Sequence, residues 1–275
     1  MSLASDPRLR PVEKLAVRIG HFINERPFPN AVKMAWHKSV GRLWVGVSIS
    51  NLLHVEGVEH LRDLGQDRGV LMCSNHRSFF DQYVISYALV TNCPWLTDLL
   101  FPVRATFFYE SLAGIAVNLI FGAGSMYPPV YRERERADLT KVGWEMLTQV
   151  LSRPGAVVGV HPEGTRGKGP DPYEFLPAQP GVGQLAMMAK VPVLPVFIHG
   201  LGNDLPGQIA SNFKDGGRDA SKKIVIVFGP PVDLAELNAG KPRPAQYKRV
   251  ADKIMDAIKP LAAREREIRA ELERA

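Results

Sequence analysis

The sequence predicts an α/β fold: a single, largely parallel or mixed sheet flanked by helices, preceded by an N-terminal amphipathic helical pair. Short apolar runs such as Val70-Leu71-Met72-Cys73, Ala156-Val157-Val158-Gly159-Val160 and Ile224-Val225-Ile226-Val227-Phe228 read as buried strands. Helical spacing fills the intervals, and strands alternating with helices indicate α/β. The 275 residues, 45% of them apolar, suffice for one large domain and a small appendage. The expected division is residues 1–54 as the helical pair and residues 55–275 as the α/β domain, ending in a charged helix.

In the first segment Val12, Leu15, Ala16, Ile19, Phe22 and Ile23 fall at helical spacing, with Pro11 suited to the first turn. Pro27 and Pro29 break that helix. A second segment, from about Asn30 to Leu53, sets Trp36, Val40, Leu43, Trp44 and Val47 along one face. Residues 1–50 carry Arg8, Arg10, Lys14, Arg18, Arg26, Lys33, Lys38 and Arg42 against only Asp6, Glu13 and Glu25, which accounts for most of the net charge of +6. Two readings stay open. Helices with basic polar faces and tryptophans can lie in a membrane interface, or they can simply pack on the core. The basic balance suits an anionic partner: an anionic membrane surface, a phosphate-bearing substrate or an acidic carrier. No basic stripe is interleaved with aromatics, so nucleic acid is not an expected partner.

Val55 to His60 leads through a short helix into the Val70–Cys73 strand. Ser74-Asn75-His76-Arg77-Ser78-Phe79-Phe80-Asp81 comes next, and Tyr83 to Leu89 can continue as a helix. Ser78 and Asp81 have the S-x-x-D spacing of a capping box, with Ser78 as N-cap and Asp81 as the third helical residue. The turn brings His76 next to Asp81. A carboxylate on one ring nitrogen fixes the tautomer and leaves the other nitrogen free to take a proton. The alternative is a capped helix beside an ordinary turn histidine.

Leu99 to Phe121 is strongly apolar but interrupted by Pro102, Arg104 and Glu110. It is read as core, as a membrane patch or as the wall of an apolar groove. Pro128 and Pro129 break the chain before the charged Tyr131–Arg136 stretch and a helix from about Asp138 to Leu151. His161-Pro162-Glu163-Gly164-Thr165-Arg166 directly succeeds the Ala156–Val160 strand. A helix over Gly181–Lys190 precedes Val191–Ile198, a strand whose prolines ask for an edge or an irregular start. Residues 201–222 read as a long loop. From Ala245 the pattern is helical, with Val250, Ile254, Ile258 and Leu261 in one stripe, and the charged tail from Arg264 is expected in solvent.

The cysteines are Cys73 and Cys93, too few for a disulfide framework and without a C-x-x-C, so a reducing compartment is expected. The first residues lack an apolar leader, and no run of about 18 apolar residues occurs, so no secretory signal and no transmembrane span are expected. Neither G-x-G-x-x-G nor G-x-x-x-x-G-K-[ST] is present.

The motifs N-H-x-x-x-x-D and H-P-E-G-T-R each begin where an apolar strand ends, which is where sites form in open α/β sheets. If the two strands are parallel in one sheet, His76, Asp81, Glu163 and Arg166 converge. Gly164 permits a tight backbone turn, and the Arg166 fork suits a phosphate or carboxylate. Together, in this order and spacing, the motifs resemble those of the glycerolipid acyltransferase family, which includes bacterial 1-acylglycerol-3-phosphate acyltransferases. The similarity covers about residues 55–235, and Val191–Val196 resembles a further family block.

The resemblance implies that His76 is the general base and that Asp81 orients it. It implies that Glu163, Gly164, Thr165 and Arg166 bind the acceptor. A fatty acyl group would pass from acyl-CoA or acyl-carrier protein to the hydroxyl of a lysophosphatidate-type lysophospholipid, with no metal and no other cofactor. One block departs from the family: Gly124 to Arg132 carries two prolines and a displaced arginine. Arg132 is taken as the phosphate contact, with Arg134 and Arg136 as substitutes and Arg104 as a further candidate. The acceptor is therefore lysophosphatidate, or another lysolipid or an aminolipid. The expected location is the cytoplasmic face of a membrane, peripheral or monotopic. The rival readings are a non-catalytic lipid binder and a hydrolase using His76 on water.

Overall fold

The computed structural model describes residues 3–62, 64–238 and 243–274. The chain opens with helices α1 (Pro11–Glu25), α2 (Pro27–Trp36) and α3 (Arg42–Ile49), then β1 (Leu53–Glu56), β2 (Val70–Ser74) and α4 (Asp81–Asn92). Next come β3 (Asp98–Leu100), β4 (Val103–Arg104), α5 (Ala105–Phe108), α6 (Leu112–Gly122), β5 (Pro129–Val130), α7 (Ala137–Leu151) and β6 (Ala156–Val160). The chain closes with α8 (Pro180–Ala189), β7 (Val193–His199), α9 (Leu205–Phe213), β8 (Ile224–Phe228), α10 (Ala235–Asn238) and α11 (Pro244–Arg274).

Six strands form one mixed sheet in the order β1-β8-β7-β2-β6-β3. β7, β2, β6 and β3 run parallel, and β8 turns antiparallel against β7, carrying β1 with it. Every residue of β2, β6 and β8 is buried. This is why these strands read as continuous apolar runs rather than alternating ones.

Several expectations are corrected. The Asn30–Leu53 segment is two helices, because the turn His37–Gly41 is a π-helical step between α2 and α3. β7 is central, not an edge. Its Pro195 is tolerated because the Pro195 carbonyl accepts from Gly229 just beyond the end of β8, so the missing N–H falls where no ladder bond is due. The 201–222 segment contains α9, started by Asp204, whose side chain accepts from the Gly207 N–H. The tail from Arg264 is not solvated on all sides: Glu265 and Ile268 are buried, and Arg264 grips Glu56 at the end of β1 with two hydrogen bonds of 2.7 and 2.9 Å. The stripe that begins at Val250 simply continues along α11.

The basic N-terminal segment splits into two classes. Arg8 pairs with Asp6 and Asp138, Arg10 with Glu13 and Glu110, and Lys33 is buried against Asp98. Lys33 thereby anchors the helical pair to β3, and Asn24 from α1 accepts from the same ammonium at 2.7 Å. Arg18, Arg26, Lys38 and Arg42 are exposed and form no ion pair among the described residues.

The Leu99–Phe121 segment also divides. Leu99, Leu100, Phe101, Phe108, Tyr109 and Ile115 are core, whereas Phe107, Leu112, Ile120 and Phe121 are exposed. So are Phe28, Val32, Val40, Leu43 and Val47 from the helical pair and Phe213 from α9. These groups adjoin, since Trp44 lies edge-on to Phe121 at 5.6 Å and α3 packs against α9. Among the described residues no helix is long and apolar enough to cross a membrane.

Candidate active site

The parallel strands β2, β6 and β7 end at one edge of the sheet, with Cys73 opposite Val160 and Ser74 opposite Val196. Beyond β2 the chain makes a tight return built on one carboxylate oxygen. His76 Nδ1 lies 2.9 Å from Asp81 Oδ2, and the same oxygen accepts the N–H groups of Arg77 and Ser78, each at 2.8 Å. Facing a carboxylate, Nδ1 carries the proton and Nε2 keeps its lone pair. The His76 side chain is 16% exposed and that of Asp81 2%, so a ligand can reach the imidazole but not the carboxylate.

Only half of the expected capping box forms. Asp81 reaches back to the Ser78 N–H, but it is the first helical residue, and Phe80 holds the cap position. The Ser78 hydroxyl accepts the Phe80 N–H and donates to the Gly202 carbonyl at 2.7 Å, tying the turn to the segment after β7. Asn75 ties it to β7 itself: its amide donates to the Ile198 carbonyl and accepts the Ile198 N–H, at 2.9 and 2.8 Å. In effect the side chain extends the strand ladder by one rung.

The loop after β6 closes over this turn. The Gly167 N–H donates to the His76 carbonyl at 2.8 Å. A side chain at Gly167 would meet the Arg77 guanidinium at 2.6 Å and push it aside. Gly164 adopts φ +66°, the left-handed region that glycine favours, and Thr165 beside it is exposed. Arg166 donates to Asn203 Oδ1 at 3.1 Å, and that oxygen also accepts the Phe79 N–H. Arg166 has no carboxylate partner among the described residues, so its charge is available to an anion. Glu163 is buried, and its Oε2 has no hydrogen-bond partner among the described residues.

The arginine candidates separate. Arg132 donates to the Gly164 carbonyl and so lies at this loop. Arg104 ends β4 in register with Val130, exposed and unpartnered among the described residues. Arg134 is exposed, without an ion pair among the described residues. Arg136 is not a substitute phosphate contact: it is committed to the buried Glu13 at 2.8 Å and lies over the Tyr131 ring.

Burial pushes the His76 imidazole down to about 3, helped by the Arg166 charge, so it is neutral at physiological pH. Asp81 is pushed up by burial, opposed chiefly by His161 and by the N–H groups of Ser78 and Arg77. Burial also raises Glu163 to about 7. A neutral imidazole with a free Nε2, held by a carboxylate and flanked by an unpaired arginine, can take a proton from a hydroxyl on an anionic molecule.

Sequence reasoning gave no role to His161, whose ring stacks on His76, nor to Asn75, Arg77 and Asn203. Asn75 carried the clearest signal, a polar side chain at the end of a central strand. Asn203 sits in a stretch without periodicity and had none. Beside the turn, between α3, α4 and the start of α9, is a narrow cleft lined mainly by apolar side chains, among them Trp44, Ile49, Phe80, Val84, Leu201 and Leu205. No three His, Cys, Asp or Glu side chains cluster as metal ligands among the described residues.

A family model described as Acyltransferase matches residues 52–199, more than half of the chain. Comparison with curated proteins gives no match. Among solved structures, the 1-acyl-sn-glycerophosphate (LPA) acyltransferase PlsC from Thermotoga maritima is similar with a TM-score of 0.52. The two are 19% identical over 91% of this chain and 87% of that one, so the likeness is one of fold. The family match runs from just before β1 to the end of β7 and includes both strand-end motifs. The chain belongs to the Acyltransferase family.

Proposed function

We propose that the protein transfers a fatty acyl group from an acyl thioester to the free hydroxyl of a lysophosphatidate-type glycerolipid. The observation that carries the reading is the His76–Asp81 pair with Nε2 free, at the sheet edge beside the unpaired Arg166. The solved relative's name, a 1-acyl-sn-glycerophosphate acyltransferase, supports this choice of acceptor.

In this reading His76 Nε2 takes the proton of the acceptor hydroxyl as its oxygen attacks the thioester carbonyl carbon. Asp81 keeps the imidazole aligned and stabilises the imidazolium. The tetrahedral intermediate collapses, the C–S bond breaks, and the leaving thiolate takes the proton back from His76. The products are the ester and a free thiol, with no covalent acyl-enzyme. Arg166 holds the acceptor phosphate, with Arg132, which touches the same loop at Gly164, and Arg104 as further contacts. Glu163, Gly164 and Thr165 shape that pocket. The apolar cleft beside Phe80 takes part of an acyl chain. The donor is acyl-CoA or acyl-carrier protein.

The exposed apolar residues of the helical pair, α6 and α9 support docking on an anionic membrane surface, with Arg18, Arg26, Lys38 and Arg42 free to meet lipid headgroups. Residues 1–54 serve as the docking element of the 55–275 domain, on the cytoplasmic face. The test is thiol release from acyl-CoA with and without lysophosphatidate, alongside a panel of other lysolipids and an aminolipid. Release that requires lysophosphatidate agrees with the proposal. Release without any acceptor identifies a hydrolase, and preference for another acceptor corrects the substrate.

A further inference from the structure

His161 opens the loop after β6, and its imidazole lies flat on that of His76: the ring centroids are 3.9 Å apart and the planes differ by 6°. Its Nδ1 faces the carbonyl oxygens of Ser74 and Asn75 at 3.2 and 3.1 Å, with the Ser74 hydroxyl at 3.0 Å. Carbonyls only accept, so Nδ1 carries the proton and Nε2 the lone pair. Nε2 is buried and has no partner among the described residues. The carbonyls holding His161 belong to the same strand end that leads into His76. The two rings are therefore fixed to one piece of backbone, and His161 moves with the residue it covers.

The Asp81 bond restrains the His76 ring within its own plane, but one hydrogen bond does not stop the ring from tilting about that bond. A flat neighbour on one face does. An aromatic face within about 6 Å of a cation also attracts it. Two stacked imidazoles cannot readily carry charge together, and burial and the facing His76 hold His161 neutral against the pull of its two carbonyls.

We propose, resting on the reading of His76 as the base, that His161 is a positioning residue: its imidazole face fixes the plane of the His76 ring and supports the positive charge that His76 gains when it takes the acceptor's proton. Burial and Arg166 set the proton affinity of His76, and the other ionisable groups near it are Asp81 and Arg77 from its own turn, His161 and Glu163 from the facing loop, and His199 from the end of β7.

The test compares wild type, His161→Ala, His161→Phe and His76→Ala as full chains, with acyl-CoA and lysophosphatidate, over a pH series. His161→Phe keeps the ring face and loses the Nδ1 bonds. It is expected to hold kcat within about threefold, while His161→Ala loses about tenfold to a hundredfold in kcat with KM little changed. In His161→Ala two effects on His76 oppose each other, water on the bared face raising its proton affinity and loss of the supporting ring lowering it, so the acid limb of the rate profile is displaced, whereas His161→Phe, which keeps the ring cover, leaves the limb in place. An alanine variant with unaltered kcat and pH limb overturns the proposal. So does a phenylalanine variant as slow as the alanine one, because the Nδ1 bonds and not the face would then matter. If His161→Ala does not fold, the phenylalanine variant decides against wild type: kcat within about threefold agrees with the proposal, and a loss of about tenfold or more overturns it. Failure of the base reading is distinguished by His76→Ala, which would then retain activity whatever the His161 series shows.

Discussion

Replacing Lys33 by methionine tests what fastens the helical pair to the sheet. The Lys33 ammonium is buried and donates to Asp98 Oδ1 at 2.6 Å and to Asn24 Oδ1 at 2.7 Å, and Asp98 is itself buried. Removing one partner of a buried pair strands the other charge, at a cost of about 3–5 kcal/mol. Asp98 is not wholly abandoned, because the half-exposed Arg153 lies 3.3 Å from Oδ2. The lower end, about 3 kcal/mol, is therefore expected for Lys33→Met. For a domain of this size that is a fall in Tm of about 6–12 °C. The double variant Lys33→Met/Asp98→Leu removes both charges and exchanges them for apolar volume, which often costs little, so it should recover most of the loss. Thermal and urea unfolding of the two singles and the double form the cycle. If the double variant loses the sum of the singles, the pair is not coupled and the anchoring argument fails.

Glu163 is raised by burial, so the folded state holds a proton that the unfolded state releases above its ordinary value of 4.5. Its ionisation penalty is absent below pH 4.5, grows from there to about 7 and is complete above. Glu163→Gln should thus be more stable than wild type at pH 8, by up to about 3 kcal/mol, with no such gain at pH 4.5; equal urea midpoints at pH 8 would contradict this. The base must be neutral to act, and His76 is held below the ordinary 6.5, so the fall in kcat/KM expected between pH 7 and pH 5 belongs to Asp81, raised by burial to about 6, and not to the imidazole. Arg166→Gln removes one cause of that depression and should move the acid limb upward, whatever it does to KM. At the membrane, Leu43→Glu with Ile120→Glu should weaken sedimentation with anionic vesicles by about tenfold or more while leaving the unfolding midpoint within a degree or two, since both side chains are exposed. Unchanged sedimentation would remove the docking surface.

How much of the molecule was legible in the sequence depends on where each signal resides. The core strands were legible because burial on both faces demands continuous apolar runs, and β2, β6 and β8 obey this fully. The His76–Asp81 contact was legible because a chain that turns between a strand and a helix leaves few places for a carboxylate. Its capping geometry was not, since the Ser78 hydroxyl is drawn away by Gly202, a residue far along the chain. Pro195 misled because its tolerance depends on where a neighbouring strand stops. The tail from Arg264 misled because Glu265, charged and buried, is satisfied by Tyr173 and Arg269 at 2.6 and 2.9 Å, partners no periodicity reveals. His161 went without a role because its meaning lies in a ring contact across two adjacent strands.

The central claim is that His76 accepts the acceptor's proton. Its most direct test is the single-turnover rate of acyl transfer to lysophosphatidate for wild type and for His76→Ala, at saturating acyl-CoA and with folding checked by circular dichroism. The rate is expected to fall by about 10²–10⁴-fold, the usual share of a positioned base. A folded His76→Ala protein that transfers acyl groups at the wild-type rate would contradict the account.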